Sequence, residues 1–444
     1  MICKLLCRTS SARFASDSSP SVRKWLKENG RANMIFEDIL ARPLSSLPQN
    51  VTGYVAGFPC QPYSRQSAAR RAFRDPRAKV FFAVLKTAGH LRPAWIVLEN
   101  VGGIMNYKRQ LLASFKRFGL LDEYLLCVLP LCPSIVLQEP HRRPRIYFVM
   151  VRRDAALTSE KDVIAKFFAE TMVEIRQSLP AAQLTDFLDV GAVAPASQAT
   201  RFGSATRYGA KLVKKHNEAR PGLGLPPSAH NSSSGCSFLT PRENSAVEMV
   251  LAANRGKQFP CVLDVSQSFD RMPVGWGFVP CLTTSSKLLL VSSGGRRLLS
   301  AAEKLKLLGL PAKACSSEAV GVSALHAMAG NGMHLRAVGL AMMLAMSLTP
   351  NQKVARSGAV ADHSSGPLIF QWKAACLVLA EGAGQKGVGQ KGVGGRSGGK
   401  KKAKAKDKVK AGSSRHPCPN RKPKGQARVP GAQRVKRSLS EIYS

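Results

Sequence analysis

Short apolar runs alternate with longer segments over the first 155 residues of the chain. The runs at 51–58, 95–98 and 146–151 have the length of buried strands, whereas the apolar residues of 81–88 have the spacing of a helix. Strand, helix and strand in this order predict βαβ units on a buried parallel sheet. We therefore expect an α/β fold for this part of the chain.

The pattern changes after residue 155. Residues 155–280 show little clear periodicity and are interrupted by clusters of Ser, Gly, Pro and Asn at 220–227 and 231–235, which indicates a loop-rich second domain. The apolar spacing becomes helical again further along, and it predicts helices at 302–308 and 335–348.

The charge of the chain narrows the class of partner. The 444 residues are 44% hydrophobic, which is enough to build a core, and Lys and Arg number 66 against 27 Asp and Glu, a net charge of +39. Such an excess favours a polyanionic partner, nucleic acid above all, and argues against a housekeeping metabolic enzyme.

The end of the chain carries a large share of this charge. Residues 381–444 hold +15 of the net charge, begin with a GQKGVG repeat and have few apolar residues, so we expect a disordered basic tail. Nuclear targeting, with the nucleus as the location, and non-specific nucleic-acid binding both suit such a tail.

The cysteines and the apolar segments bear on the compartment. Eleven cysteines, an odd number without a CxxC pair, favour reduced thiols inside the cell over a disulfide framework or a zinc ribbon. The longest apolar helix-like run, 337–346, is far shorter than the roughly 18 residues of a membrane span, so we expect no membrane partner. Residues 1–16 contain three basic and no acidic side chains, which fits a helix surface and, more weakly, a transit peptide. The oligomeric state has no signature in the sequence.

Four side chains with catalytic chemistry lie beside the predicted strands. Cys60 follows the first apolar run in a loop with two prolines, and the carboxyl ends of strands are where open α/β sheets place their active sites. Glu99 ends the second run, which brings a carboxylate to the same edge, and Arg143 and Arg145 precede the third run on one face. A lone cysteine after a strand is more often a small buried hydrophobe, so it is the combination that points to a nucleophile.

In this order and spacing the residues resemble the DNA (cytosine-5) methyltransferases, and the resemblance runs from residue 17 to about 346. The motifs that carry it are Gly57-Phe58-Pro59-Cys60-Gln61, Asp75-Pro76-Arg77, Glu99-Asn100-Val101, Arg143-Pro144-Arg145, the stretches 297–303 and 308–311, and Gly330-Asn331-Gly332.

The resemblance implies a division of the chain. A Rossmann-like catalytic domain would occupy 1–160, a smaller irregular target-recognition region 161–290, and a return to the catalytic domain 291–350. A linker at 351–380 and the basic tail would follow.

It also implies a mechanism. The Cys60 thiolate would add to carbon 6 of cytosine, and Glu99 would protonate ring nitrogen 3. Arg143 and Arg145 would hold the base carbonyl and nearby backbone and lower the pKa of the thiol. The target base would have to leave the DNA helix to reach these groups.

The implied cofactor is S-adenosyl-L-methionine. Asp17 would bind its ribose, and Asp38 with Ile39 its adenine. The residues expected to line the rest of its pocket are Pro59, Val80 and Asn331.

One family motif, the glycine-rich turn after the first strand, is not found before Asp17. Residues 1–16 contain no glycine, so the first strand and its turn would lie upstream of Met1, or the chain is a degenerate copy that has lost its cofactor loop. Three functions stay open: a DNA methyltransferase, a tRNA methyltransferase with the same loop motifs, and a catalytically impaired protein that binds nucleic acid. The large middle region and the basic tail favour DNA over tRNA.

Overall fold

The computed structural model describes residues 11–30, 32–64, 71–189, 214–227, 236–349 and 377–378, all within one compact unit of the chain. Its strands are β1 Phe14–Ser16, β2 Met34–Phe36, β3 Gly53–Gly57, β4 Trp95–Asn100, β5 Tyr124–Leu131, β6 Arg145–Arg152, β7 Cys261–Asp264, β8 Val274–Trp276, β9 Leu288–Ser292, β10 Gly295–Leu298 and β11 Leu377–Val378. Its helices are α1 Pro20–Asn29, α2 Lys79–Leu91, α3 Lys108–Arg117, α4 Leu120–Glu123, α5 Pro133–Val136, α6 Lys161–Ser178, α7 Pro241–Ala253, α8 Ala301–Lys306, α9 Val322–Asn331 and α10 Leu335–Ser347. Residues 214–219 are helical as well.

The main sheet has five strands in the order β11-β5-β6-β4-β3. β3 and β4 are parallel, as predicted, but β6 is antiparallel to both β4 and β5. The prediction that the run at 146–151 joins a parallel sheet is therefore wrong. The chain turns back after β5 without a crossover helix of ordinary length, and a direct return of this kind places neighbouring strands antiparallel.

Helices cover both faces of the main sheet. Phe81 of α2 and Phe115 of α3 pack with Phe148 on one face, while Phe168 of α6 and Leu344 of α10 pack on the other. β4, β5 and β6 are almost completely buried between these layers, which explains why they appear in the sequence as continuous apolar runs. The α/β class predicted from the sequence is confirmed.

β1 and β2 form a separate two-stranded parallel sheet. It packs beside β3, where the ring of Phe14 stacks on Tyr54 with centroids 6.2 Å apart. Arg42 lies over the rings of Phe14 and Phe36, 5.2 Å from each, and donates a hydrogen bond to Thr87 of α2. These contacts hold β1 and β2 against the main sheet.

Region 161–290 contains more regular structure than its composition indicates. The antiparallel sheet β10-β9-β7-β8 packs against α7, which begins with a capping box between Thr240 and Glu243. α6 packs on the main sheet through apolar residues at 164, 168, 172 and 175. These positions have helical spacing, but the Ser, Gly and Pro clusters further along the region make this spacing hard to recognise in the sequence. The expectation of a loop-rich region is thus incomplete, while its boundaries stay predictions.

The return segment ends in helices close to the predicted ones. α8 and α10 confirm the helices predicted at 302–308 and 335–348, and α9 between them was not predicted. Within the described ranges, no helix combines the length and the apolar character needed to cross a membrane. The predicted tail at 381–444 and nearly all of the linker lie outside the described residues.

Candidate active site at the carboxyl ends of β3 and β4

Cys60 lies in a tight turn that follows β3. Its carbonyl accepts hydrogen bonds from the backbone N–H groups of Tyr63 and Ser64, at 3.0 and 2.9 Å. The turn is fixed to the neighbouring strand because Asn100, the last residue of β4, donates through Nδ2 to the carbonyl of Phe58, 3.0 Å away. The thiol is half-buried, and burial raises its pKa, while the charge of Arg145 acts in the opposite direction.

Glu99 lies directly across from the end of β3. It is 8% exposed and pairs in register with Gly57, and its Oε2 would lie 3.3 Å from a Cβ atom at that glycine. Its Oε1 is 2.9 Å from Nε of Arg145. Burial raises the pKa of the Glu99 carboxyl, and the charges of Arg145 and Arg143 oppose this rise. A buried carboxyl with a raised pKa can hold a proton and donate it to a bound substrate.

The two arginines have different partners. Arg145 places Nη1 2.8 Å from the carbonyl of Pro144 and 3.7 Å from Sγ of Cys281. Arg143 donates to three backbone carbonyls: Leu282 at 3.0 Å, Gly330 at 3.1 Å and Gly332 at 2.6 Å. Arg145 thus belongs to the group around Glu99, and Arg143 ties two distant loops to the start of β6.

Cys281 and the close contact at Gly330 were not found from the sequence. The chain at Val279 runs parallel to His141, and two residues further along each segment Arg143 meets Cys281. A Cβ atom at Gly330 would lie 2.2 Å from the backbone nitrogen of Thr284, so this loop rests directly on the glycine. Both contacts join residues far apart in sequence, so they could not be predicted from local pattern. The one indication in the sequence was the glycine at position 330 in the Gly330-Asn331-Gly332 motif.

Three of the predicted cofactor residues follow parallel strands. Asp17 follows β1, Asp38 follows β2 and Pro59 follows β3. Oδ1 of Asp17 accepts the N–H of Ser19 at 2.8 Å, and Oδ1 of Asp38 accepts that of Leu40 at 2.9 Å. No hydrogen bond from the described residues reaches the second oxygen of either carboxylate. Carboxylates at strand ends are suited to bind the hydroxyl groups of a ribose, so these positions fit a nucleoside-containing cofactor.

The other three cofactor candidates are more dispersed. Ile39 and Val80 pack partly buried against the core on the α2 side of the sheet, and Asn331 is exposed at the end of α9. Met333 brings this last segment to the site, because its Sδ would lie 3.2 Å from a Cβ atom at Gly57. The described contacts do not join all six candidates into one pocket. No cluster of His, Cys, Asp and Glu suited to a metal ion occurs among the residues that the structure describes.

The chain is similar in sequence to known DNA methyltransferases. A family model described as C-5 cytosine-specific DNA methylase matches residues 7–331. The orphan methyltransferase M.Rho11sI of Bacillus phage rho11s is 32% identical over 131 residues, 28% of this chain and 25% of the relative. The type II methyltransferase M.Eco47II of Escherichia coli is 27% identical over 125 residues, 28% of this chain and 30% of the relative. The chain therefore spans less than a third of the length of these curated relatives.

Two solved methyltransferase structures are also similar to this chain. The Dnmt2 methyltransferase of S. pombe matches with a TM-score of 0.47 and 14% identity, over 78% of this chain and 94% of that one. A putative DNA modification methyltransferase from an E. coli prophage matches with a TM-score of 0.47 and 15% identity, over 76% and 92% of the two chains.

Proposed function

The chain belongs to the C-5 cytosine-specific DNA methylase family, and on this premise we propose that it transfers a methyl group from S-adenosylmethionine to carbon 5 of cytosine in DNA. The observation that supports the proposal most strongly is the meeting of three side chains at one edge of the main sheet. Cys60 follows β3, Glu99 lies across from it on β4, and Arg145 of β6 holds the carboxyl at 2.9 Å.

Cys60 acts as the nucleophile. Its thiolate forms a bond to carbon 6, and the electrons of the carbon 5–carbon 6 double bond make carbon 5 nucleophilic. Carbon 5 then forms a bond to the electrophilic methyl group that S-adenosylmethionine would supply when bound, while the bond between the donor sulfur and the methyl group breaks and its electron pair stays on sulfur. After methylation a water molecule takes the proton from carbon 5, and its bonding electrons restore the double bond. The bond from sulfur to carbon 6 breaks with its electron pair returning to the Cys60 thiolate, and ring nitrogen 3 returns its proton to Glu99.

Glu99 acts as the general acid toward ring nitrogen 3. In its neutral form Glu99 has a proton to donate. Protonation of Glu99 also removes its negative charge, which otherwise disfavours a thiolate at Cys60 and raises the pKa of that thiol. The same protonation state of Glu99 therefore favours both halves of the addition. Arg145 orients the carboxyl through Oε1.

The burial of the site supports a mechanism in which the base leaves its stack. Glu99 is 8% exposed and Cys60 is half-buried at the end of a covered sheet, whereas carbon 6 of a stacked cytosine cannot be approached from the ring face. We infer that the target nucleotide is flipped out of the duplex before Cys60 adds to it.

The cofactor would lie along the ends of β1, β2 and β3. Asp17 would bind the ribose hydroxyl groups, and Asp38 and Ile39 would contact the adenine. Pro59, Val80 and Asn331 would line the remaining surface.

One further function has an observation in its favour. Two motifs of this chain resemble those of the branch of the family that methylates tRNA. They are the loop Pro59-Cys60-Gln61-Pro62 and the segment Glu99-Asn100-Val101. The excess of basic residues, +15 of it in the tail, supports DNA as the partner and the nucleus as the location.

Replacing Cys60 by serine tests the proposal. The full chain is incubated with a donor carrying a labelled methyl group and with duplex DNA or tRNA, and the labelled base is identified after digestion. Wild type should label carbon 5 of cytosine in DNA, and Cys60→Ser should label nothing because a hydroxyl is a far weaker nucleophile at neutral pH.

Cys236→Ser, which removes another half-buried thiol, is the matched control and should keep full activity. Labelling of tRNA alone would show that tRNA, and not DNA, is the substrate. Activity in Cys60→Ser would rule out the covalent mechanism. Calorimetry with S-adenosylmethionine identifies the impaired alternative, which would bind DNA but not the donor.

A further inference from the structure

Glu139 is a buried carboxylate with two partners at the beginning of α10. It is 3% exposed, and its Oε1 accepts a hydrogen bond from Nη1 of Arg336 at 2.9 Å, although Arg336 is 197 residues further along the chain. Its Oε2 lies 2.8 Å from Nε2 of His334, which is buried as well. Nδ1 of His334 accepts the N–H of Ala337 at 3.3 Å and so caps the helix. The proton of the neutral ring is therefore on Nε2, the nitrogen next to the carboxylate.

The stretch of chain that carries Glu139 also carries Arg143. The N–H of His141 donates to the Glu139 carbonyl at 2.8 Å, so the backbone turns tightly between the two side chains. Arg143 donates to the carbonyls of Gly330 and Gly332. The chain between these glycines and α10 is therefore bound at one end by Arg143 and at the other by Glu139.

Met333 lies between these two attachment points and reaches the candidate active site. Its Sδ would lie 3.2 Å from a Cβ atom at Gly57, and Oε2 of Glu99 would lie 3.3 Å from the same atom. The side chain of Met333 is thus next to the end of β3 and close to the carboxyl that acts as the acid in the proposed function. Asn331, one of the cofactor candidates, belongs to the same segment.

The rest of α10 is held by other contacts. Leu340 and Leu344 are buried against the main sheet. The N–H of Leu335 donates to the carbonyl of Leu308 at 2.7 Å, which ties the helix to another part of the return segment. Loss of the Glu139 contacts should therefore leave α10 in place and loosen its attachment to the chain that leads into β6.

We propose that Glu139 is a positioning residue that, together with Arg143, holds the segment 330–334 against the end of β3, so that Met333 lies beside Glu99 at the site of the substrate base. The proposal rests on the proposed function for the identity of that base. Removing one partner of a buried ion pair leaves the other unpaired, and a displacement of about 1 Å in an active site can lower turnover by as much as about 10²-fold. Loss of Glu139 should lower kcat and leave KM for DNA little changed, because this side chain is itself too buried to contact DNA.

The test uses Glu139→Gln and His334→Asn in the full chain. Glutamine has nearly the shape of glutamate without its charge, and asparagine can still cap α10 but is too short to keep the contact with Glu139. Each variant should lower kcat about tenfold, and the double variant should lose no more than Glu139→Gln alone, because both changes remove the same contact.

Glu248→Gln is the matched control, since Glu248 pairs with the buried Arg220 at 2.8 Å in another part of the chain, and it should keep the wild-type kcat. Wild-type kcat in both single variants, or losses that multiply in the double variant, would overturn the proposal.

A second measurement needs no turnover and so separates this proposal from the proposed function. NMR of protein labelled with carbon-13 at the methionine methyl groups follows Met333, whose resonance is assigned by its loss in Met333→Leu. The resonance should move toward that of an exposed methionine in Glu139→Gln and in His334→Asn, and stay in place in Glu248→Gln, even if no methyl acceptor is found. An unchanged Met333 resonance in the first two variants would contradict the positioning role, whatever the activity of the enzyme.

Discussion

At the scale of single residues, Glu99 combines burial with an ion pair, and burial prevails. Its pKa is raised by removal of the carboxyl from water, against the charges of Arg145 and Arg143. The folded protein therefore binds this proton more tightly than the unfolded chain does. The stabilisation is fully present below the ordinary pKa of a glutamate, about 4.3, and is lost as the pH rises through the folded-state pKa.

Glu99→Gln should remove this pH dependence, because the amide has no proton to lose. Between pH 5 and pH 8 the free energy of unfolding of wild type should fall relative to that of the variant, by at most about 1.4 kcal/mol per pH unit. Urea denaturation of both proteins across this range measures the difference. The variant should also lose about 10²–10⁴-fold in kcat through the missing acid.

Glu123→Gln is the control for the charge change, since Glu123 is 38% exposed and pairs with Arg92 at the surface. Its stability should run parallel to that of wild type. A difference between wild type and Glu99→Gln that stays constant with pH would show that Glu99 does not carry the raised pKa.

The residues of the site differ in how far the sequence reveals them. Cys60 and Glu99 each end an apolar run, so local pattern and resemblance together predict that they meet at one edge. The partners of Arg143 could not be predicted, because they are backbone carbonyls 139 to 189 residues away and leave no mark on side-chain identity. The same holds for Cys281, which reaches the site through a parallel pairing of two irregular segments.

At the scale of elements, the sequence predicts which segments are strands better than it predicts their direction. The apolar runs that became β3, β4 and β6 are close to their predicted bounds. In β4 and β6 this is because continuous burial selects apolar residues at nearly every position. A strand buried on both faces has the same apolar sequence pattern whether its neighbours are parallel or antiparallel to it. The sequence pattern therefore does not show the direction of β6, which is set by the path of the chain after β5.

The contact between α9 and the loop before β9 makes Gly330 sensitive to any side chain. A Cβ atom there would lie 2.2 Å from the nitrogen of Thr284 and 2.3 Å from the carbonyl carbon of Thr283. Gly330→Ala should force the two backbones apart and cost about 1–3 kcal/mol of the free energy of unfolding. It should also lower methyl transfer, because the Gly330 carbonyl that binds Arg143 moves with the loop.

Gly222→Ala is the matched control, since a Cβ atom at Gly222 meets nothing within 4 Å. Denaturant unfolding of the two variants beside wild type gives the comparison. Equal stability of both variants would mean that the two backbones can separate without cost, and Gly330 would then not hold the loop in place.

At the scale of the whole molecule, the positive charge divides into two parts with different roles. Residues 381–444 hold +15 of the net +39, and their lysines cluster at 400–406, away from any predicted strand or helix. The remainder belongs mainly to the part of the chain with a core, where Arg143 and Arg145 are buried and occupied by protein partners. Attraction to phosphates by the tail should therefore depend on salt, whereas the chemistry at Cys60 should not.

Replacing the five lysines of the cluster by glutamine in the full chain tests this division; they are Lys400, Lys401, Lys402, Lys404 and Lys406. Each lysine that contacts a phosphate contributes about 0.9 to the slope of log K against log salt, so the slope should become less steep by up to about 4.5. The variant with arginine at the same five positions keeps the charge and should keep the wild-type slope. Binding to one duplex is measured by fluorescence anisotropy from low to high salt, and kcat at saturating DNA should be equal in all three proteins. If the glutamine and arginine variants have the same slope, these lysines do not contact phosphates, and the salt dependence must come from the other basic residues of the chain.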